Sequence, residues 1–256
     1  MSRTMISSLL VFGMALSLLL GAGCRSTIQV HSIDASDTKT HKAVTGVHRF
    51  RGWAARHYAI SERLEQGNVD LLFIGDSITH SWEKNGKEVW QEYYGHRNAA
   101  NFGIGGDRTE HVLWRLDHAP IDRISPRVAV LLIGTNNSKG DDYTAEEIAD
   151  GIIAICAKLR QKLPRTRILL LAIFPRGETP SPQRQKNARA SAIASEIADG
   201  RMVHTLDIGD AFLGPDKTLS KEIMPDFLHL TPAGYKIWAD AIEPKLSELM
   251  GDKKHR

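Results

Sequence analysis

Residues 71–80 read LLFIGDSITH. Five residues that are apolar or glycine, 71–75, end abruptly in an acid, Asp76, and a hydroxyl, Ser77. A short, continuous apolar run bounded by turn residues predicts a strand covered on both faces. Its polar end then marks the carboxyl edge of a parallel sheet, where ligands bind in α/β proteins. Four comparable runs follow this one (69–75 in full), at 98–102, 128–133, 168–174 and 203–208. Helical patterns lie between them. Thr144 and Glu147 make a capping box ahead of Ile148, Ile152, Ile155, Cys156, Leu159 and Leu163, which recur at helical period. Ser181-Pro182 and Thr231-Pro232 pair an N-cap with a first-turn proline, so each opens a helix. Pro244 is expected to kink or interrupt the last helix. Strands alternating with helices predict a three-layer α/β/α sandwich around a five-stranded parallel sheet.

Around that core the composition is that of an ordinary globular chain: 256 residues, 42% hydrophobic, 25% charged. A net charge of +3 is too small a bias to suggest nucleic acid, and the basic tail 253–256 reads as a solvated end. The N-terminus differs. Arg3 precedes an apolar stretch at 5–20 and the small residues Gly21-Ala22-Gly23 before Cys24. That arrangement predicts a secretory signal over 1–23. The apolar stretch is shorter than the ~20 residues of a membrane span. A cysteine directly after small residues resembles the lipobox of bacterial lipoproteins, although Gly21 stands where that family usually has leucine. The resemblance implies that Cys24 is diacylated and anchors the chain in the cell envelope; the rival reading is an uncleaved anchor or ordinary secretion without lipid on Cys24. Residues 24–47 are polar and read as a tether, leaving 48–256 as the domain. Only one other cysteine exists, Cys156, expected to be a small buried hydrophobe, so no disulfide or cysteine-based metal site can be built.

The unusual residues cluster at the ends of the apolar runs. After the second comes NFGIGGDRTEH (101–111), after the third IGTNN (133–137), and before the last helix PDFLHLTPAGY (225–235). Gly-Asp-Ser alone arises by chance in roughly one chain in twenty of this size. All four pieces falling on one rim is a stronger signal. A serine hydroxyl needs a neighbouring base to become a nucleophile. His229 supplies one, and Asp226, three residues earlier, can hold the imidazole and stabilise its protonated form. Donors for a developing oxyanion are the backbone N–H groups of Ser77 and Gly106 and the side-chain amide of Asn136. Asp107 with Glu110 resembles a helix cap that would aim the Gly106 N–H from a helix start.

These blocks resemble the SGNH, or GDSL-type, hydrolase superfamily, whose serine, glycine, asparagine and histidine match Ser77, Gly106, Asn136 and His229, with Asp226 completing a triad. Within it, NFGIGGD, HVLWRL, GTNN, PRGE, RQKNA and DFLHLT most resemble the catalytic subunits of brain-type platelet-activating-factor acetylhydrolase and their bacterial relatives. The resemblance implies a flavodoxin-like fold and ester hydrolysis without metal or cofactor. It also implies short acyl groups, acetyl above all, on small-molecule or glycan esters, and it leaves a homodimer open. The rival readings are a lysophospholipase or thioesterase of longer acyl preference, and a non-catalytic envelope binding protein. A flavodoxin-like cofactor binder lacks its phosphate loop, since GIGGD does not match G-x-G-x-x-G. An α/β-hydrolase lacks its Gly-x-Ser-x-Gly elbow.

The neighbouring residues take quieter roles. Asp76 is expected to cap or turn the chain, Asn101 and Asp107 to brace the second loop, and Asn137 to support Asn136. Arg108 is left between substrate contact and pairing with Glu110. His80 and His111 are read as packed or surface histidines rather than rival bases, and Trp82, Trp90, Tyr93 and Tyr94 as core packing rather than pocket lining.

Overall fold

The computed structural model describes residues 40–49 and 52–252. The expected signal segment, Cys24 and most of the expected tether lie outside the described residues.

The apolar runs form β1 (Leu71–Gly75), β2 (Ala99–Gly103), β3 (Val128–Leu132), β4 (Arg167–Leu171) and β5 (Val203–Leu206). They pair in parallel in the order β2-β1-β3-β4-β5. Every residue of β1 and β3 is buried, which is why neither run alternates polar with apolar. The strand period of two sends Leu72 and Ile74 to one face, and Leu71 and Phe73 to the other. The first face is covered by α1 (Trp53–Glu65), α4 (Thr109–His118), α5 (Ala145–Lys162) and α6 (Pro182–Ser195). The second lies under α3 (Lys87–Tyr94) and α7 (Pro232–Met250). This is the expected three-layer sandwich. The order reverses at β1, between β2 and β3, so the carboxyl end of β1 is the switch point where such sheets take ligands.

The helix starts follow the sequence. Thr144 and Glu147 exchange the reciprocal bonds of a capping box, at 3.1 and 2.8 Å. Ser181 and Thr231 accept from the amides of Arg184 and Gly234. Cys156 is buried, and burial pushes its thiol up to about 12. Two expectations are corrected. Pro244 does not interrupt α7, which runs unbroken for 19 residues because Ile242, Leu246 and Leu249 keep burying the same stripe past the missing N–H. The packed domain also begins before residue 48. Lys42–Val44 forms a 3₁₀ turn with Ala43 fully buried, the Thr109 hydroxyl donates to the Ala43 carbonyl (2.9 Å), and the Val47 amide donates to Glu110 O (3.1 Å). No helix among the described residues is long and apolar enough to cross a membrane.

Candidate active site

Gly75, Asp76 and Ser77 turn the chain from β1 into the single turn α2 (Ser77–His80). Asp76 is its N-cap, as expected of a capper: Oδ1 accepts the Ile78 amide at 2.9 Å. Oδ2 has no partner among the described residues, and burial pushes the carboxyl up to about 7. α2 lies tightly across the ends of β1 and β2. A Cβ on Gly75 would run into the Thr79 side chain, and one on Gly103 into the backbone of Thr79 and His80. Asn101 braces this crossing, donating to Thr79 O and His80 O and accepting from the Gly103 amide.

Ser77 Oγ lies 3.0 Å from His229 Nε2, across 152 residues of chain. His229 Nδ1 lies 2.6 Å from Asp226 Oδ2. With a carboxylate facing Nδ1, that nitrogen carries the proton and Nε2 offers its lone pair to the serine hydroxyl. Asp226 is itself held: Oδ1 accepts the amides of Leu228 (3.1 Å) and His229 (2.8 Å), an Asx turn. Partial burial works to raise this carboxyl, but the hydrogen bonds from the His229 ring and the two amides outweigh it and hold it below its usual range. Between acid and base, Phe227 sits at φ +58, a strained value for an aromatic residue. Its carbonyl accepts the Gly177 amide at 2.9 Å, so the PRGE loop clamps the turn. Two bonds join this segment to the serine side: Tyr235 OH donates to Ile78 O (2.6 Å), and Asn85 Nδ2 to Leu230 O (3.0 Å).

Asn136 meets the turn that carries Gly106, and that turn borders the serine. Ile104–Asp107 is a turn closed by Asp107 N–H to Ile104 O (3.2 Å), with Gly106 at φ +77. A Cβ on Gly105 would lie 3.9 Å from Ser77 Cβ, so this turn borders the nucleophile. Asn136 Nδ2 donates to Asp107 O at 2.8 Å, which fixes which end of the amide is nitrogen and leaves its second N–H free of that bond. Asn137 ties the same loop to the start of α4, accepting from the Thr109 amide and donating to Thr109 Oγ1 and Glu110.

Asp107 corrects one expectation. It is not the cap of α4; Arg108 is, with His111 Nδ1 accepting the Arg108 amide at 3.0 Å. Asp107 turns inward instead and is fully buried, taking Arg115 Nε (2.8 Å) and Trp53 Nε1 (2.8 Å). Arg115, also fully buried, continues to Phe102 O and Gly75 O, tying the carboxyl ends of β1 and β2 to the turn. Arg108 pairs loosely with Glu110 at 4.0 Å and lies over the Tyr143 ring.

His80 and His111, the rival histidines of the sequence, make poor bases. Burial lowers His111 to about 3, and it lowers His80 too. Trp82 and Tyr94 are fully buried in the core, with Trp90 and Tyr93 packed against it. Sequence reading missed Arg176, whose guanidinium holds the Thr135 carbonyl (2.9 Å) and acts on both Asp76 and Asp226 by charge. Its only signal was its place in PRGE.

A hydroxyl relayed through an imidazole to a carboxylate, at the switch point of a parallel sheet, can carry out acyl transfer. The comparisons agree with that chemistry and make the protein a serine ester hydrolase. Residues 73–237 match the model of the GDSL-like Lipase/Acylhydrolase family. The rat platelet-activating factor acetylhydrolase IB subunit alpha2 is 40% identical over 184 residues, 72% of this chain and 78% of that protein. The human subunit alpha1 is 34% identical over 199 residues, 77% and 84% of the two chains. The chain belongs to the GDSL-like lipase/acylhydrolase family. Among solved structures, an acetylxylan esterase from Geobacillus stearothermophilus superposes with a TM-score of 0.58 at 21% identity, over 74% of this chain and 98% of that one. A GDSL-like lipase from Bacteroides thetaiotaomicron gives 0.61 at 19%, over 77% and 96%. At these identities the two structures speak for the fold.

Proposed function

We propose that this chain removes short acyl groups, acetyl above all, from an alcohol such as a carbohydrate hydroxyl. The observation that carries the reading is the hydrogen-bonded series Ser77–His229–Asp226. Ser77 Oγ attacks the ester carbonyl while His229 Nε2 takes its proton. The oxyanion is received by the N–H groups of Ser77 and Gly106 and the Asn136 amide. His229 then protonates the departing alcohol, and a water molecule, activated in the same way, releases the acid and restores Ser77. Ser77 suits the first donor role because it opens α2, where a backbone N–H has no acceptor within its helix. The acetyl preference is supported by the names of the relatives, acetylhydrolases at up to 40% identity. We place the enzyme in the cell envelope, held by lipid on Cys24. The support is the basic, apolar and small-residue order of 1–23.

Hydrolysis of p-nitrophenyl esters by the full chain and its Ser77→Ala variant tests the reading. Acetate turnover that vanishes with Ser77 and falls with acyl length is expected. Equal inactivity of two folded proteins would overturn it, and a rise with chain length would favour a lysophospholipase or thioesterase. Labelling with a fatty acid that is lost in Cys24→Ser checks the anchor.

A further inference from the structure

Resting on that reading, we infer that Arg49 is a positioning residue for the Gly106 oxyanion donor. The geometry concerns one peptide unit. The carbonyl of Gly105 and the N–H of Gly106 belong to the same planar amide, and a trans peptide points them in opposite directions. Arg49 Nη1 donates to that carbonyl at 2.8 Å. Fixing the carbonyl therefore fixes the direction in which the Gly106 N–H is presented.

That direction is not fixed by the turn itself. Ile104–Asp107 has positive φ at its third residue, Gly106, and not at its second, Gly105, which is the type II arrangement. Types I and II share the same end-to-end hydrogen bond and differ by rotation of the central peptide, here Gly105–Gly106. Two consecutive glycines raise little steric barrier to either orientation. A guanidinium on the central carbonyl selects one of them. It also polarises the amide, because a charged donor on C=O strengthens the N–H at the other end as a donor.

The surroundings are built for this contact. The guanidinium lies against Gly106, where an added Cβ would stand 3.0 and 3.1 Å from its two terminal nitrogens; any side chain there would displace it. Nη1 also faces Asp107 Oδ1 at 3.5 Å. The backbone that delivers Arg49 is docked at Ala43 and Val47, and the preceding ring, His48, sits edge-on to Trp53 and Trp114 at 5.2 and 4.6 Å. This segment precedes residue 73, where the family match begins. The chain thus recruits a strap from outside that region to hold a donor inside it.

The test compares full-length wild type with Arg49→Ala, Arg49→Gln and Arg49→Lys, all checked for an unchanged melting transition. Two readouts are taken: kcat and KM on p-nitrophenyl acetate, and the NMR resonances of the Gly105 carbonyl carbon and Gly106 amide proton in the free protein. Removing a whole oxyanion donor costs about 10²–10³ in kcat, so loosening one is expected to cost about 10–100-fold with KM little changed. Arg49→Ala and Arg49→Gln should both show this loss, with both resonances displaced, and Arg49→Lys should recover most of each. A merely structural role would lower the melting temperature or raise KM without this pattern. Wild type lacking Ser77-dependent turnover would overturn the esterase reading. Wild type that turns over, beside an Arg49→Ala variant within twofold of its kcat or with unmoved resonances, would overturn the role of Arg49 alone.

Discussion

Asp226→Asn should cripple the enzyme without unfolding it, and the hydrogen bonds around Asp226 say how. Its two oxygens do different work. Oδ1 accepts two backbone amides, at 2.8 and 3.1 Å, and Oδ2 accepts the His229 ring N–H at 2.6 Å. Asparagine can satisfy only one side with its carbonyl. If the carbonyl stays on the two amides, its NH₂ faces Nδ1 and drives the ring proton to Nε2, so His229 can no longer accept the Ser77 proton. The productive orientation points NH₂ at two N–H donors and forfeits two bonds. At about 1 kcal/mol each, the low end being right for an exposed carboxyl, this disfavours it by about 2 kcal/mol, or roughly 30-fold. Loss of the negative charge that stabilises the imidazolium adds to this. The combined fall in kcat should be about 10³–10⁴, with the melting temperature and KM close to wild type. Steady-state hydrolysis of p-nitrophenyl acetate, alongside thermal melts, measures it. A variant that keeps more than a tenth of wild-type kcat would refute the assignment of the base.

Asn136→Ala should lower kcat by about 10²–10³ at nearly constant KM, and a loss below tenfold would remove Asn136 from the oxyanion donors. Arg115→Met should strand the buried Asp107 carboxyl at a cost of about 3–5 kcal/mol, roughly a 10 °C drop in melting temperature; an unchanged transition would show the pair to be dispensable. Asp76→Asn should alter how stability depends on pH. The folded carboxyl sits at about 7 against an ordinary 3.8, so between these values the native state keeps a proton that the unfolded chain releases. Wild-type stability therefore declines as pH rises from 4 to 7, and the variant, which retains the acceptor for the Ile78 amide, escapes that decline. A stability difference that stays flat from pH 5 to 8 would contradict it.

Sequence legibility followed how local each determinant was. β1 and its polar terminus were legible because a strand buried on both faces leaves an uninterrupted apolar run. The Asp226–His229 pair was legible because its spacing and the Thr231-Pro232 cap lie within seven residues of each other. Asp107 was rightly expected to brace its loop, but its capping role was misread because an acid just before a helix normally caps it; here it pairs with an arginine eight residues on, and nothing local distinguishes the two uses. Residues 41–47 were read as tether because they carry almost no large apolar side chains. They dock through backbone groups, one buried alanine and the His41 ring on Asp150, none of which hydropathy can register. The part played by Arg49 was hidden for the same reason, since its partner is a backbone carbonyl 56 residues away.

The position of the nucleophile follows from atoms the chain omits. α2 is only four residues long, too short to hold a place by its own hydrogen bonds. It is held because Gly103 lets its backbone, and Gly75 its Thr79 side chain, settle on the two paired strand ends, and because Asn101 and Arg115 tie those ends with four backbone-carbonyl bonds. The base arrives from the other end of the chain, but Tyr235 OH on Ile78 O fixes it to the same turn. The acid–base pair is thus referenced to the residue next to the serine as well as to the PRGE loop beyond β4. Small shifts of the sheet would move Ser77 and His229 together, and the 3.0 Å contact between them would survive. Among the described residues the Gly105–Gly106 peptide makes no hydrogen bond to α2, although the turn that holds it is tied to the end of β1 by the Ile104 amide on Gly75 O and by Arg115. The side-chain bond on that peptide itself is the one from Arg49, so its orientation within an otherwise anchored turn rests on Arg49.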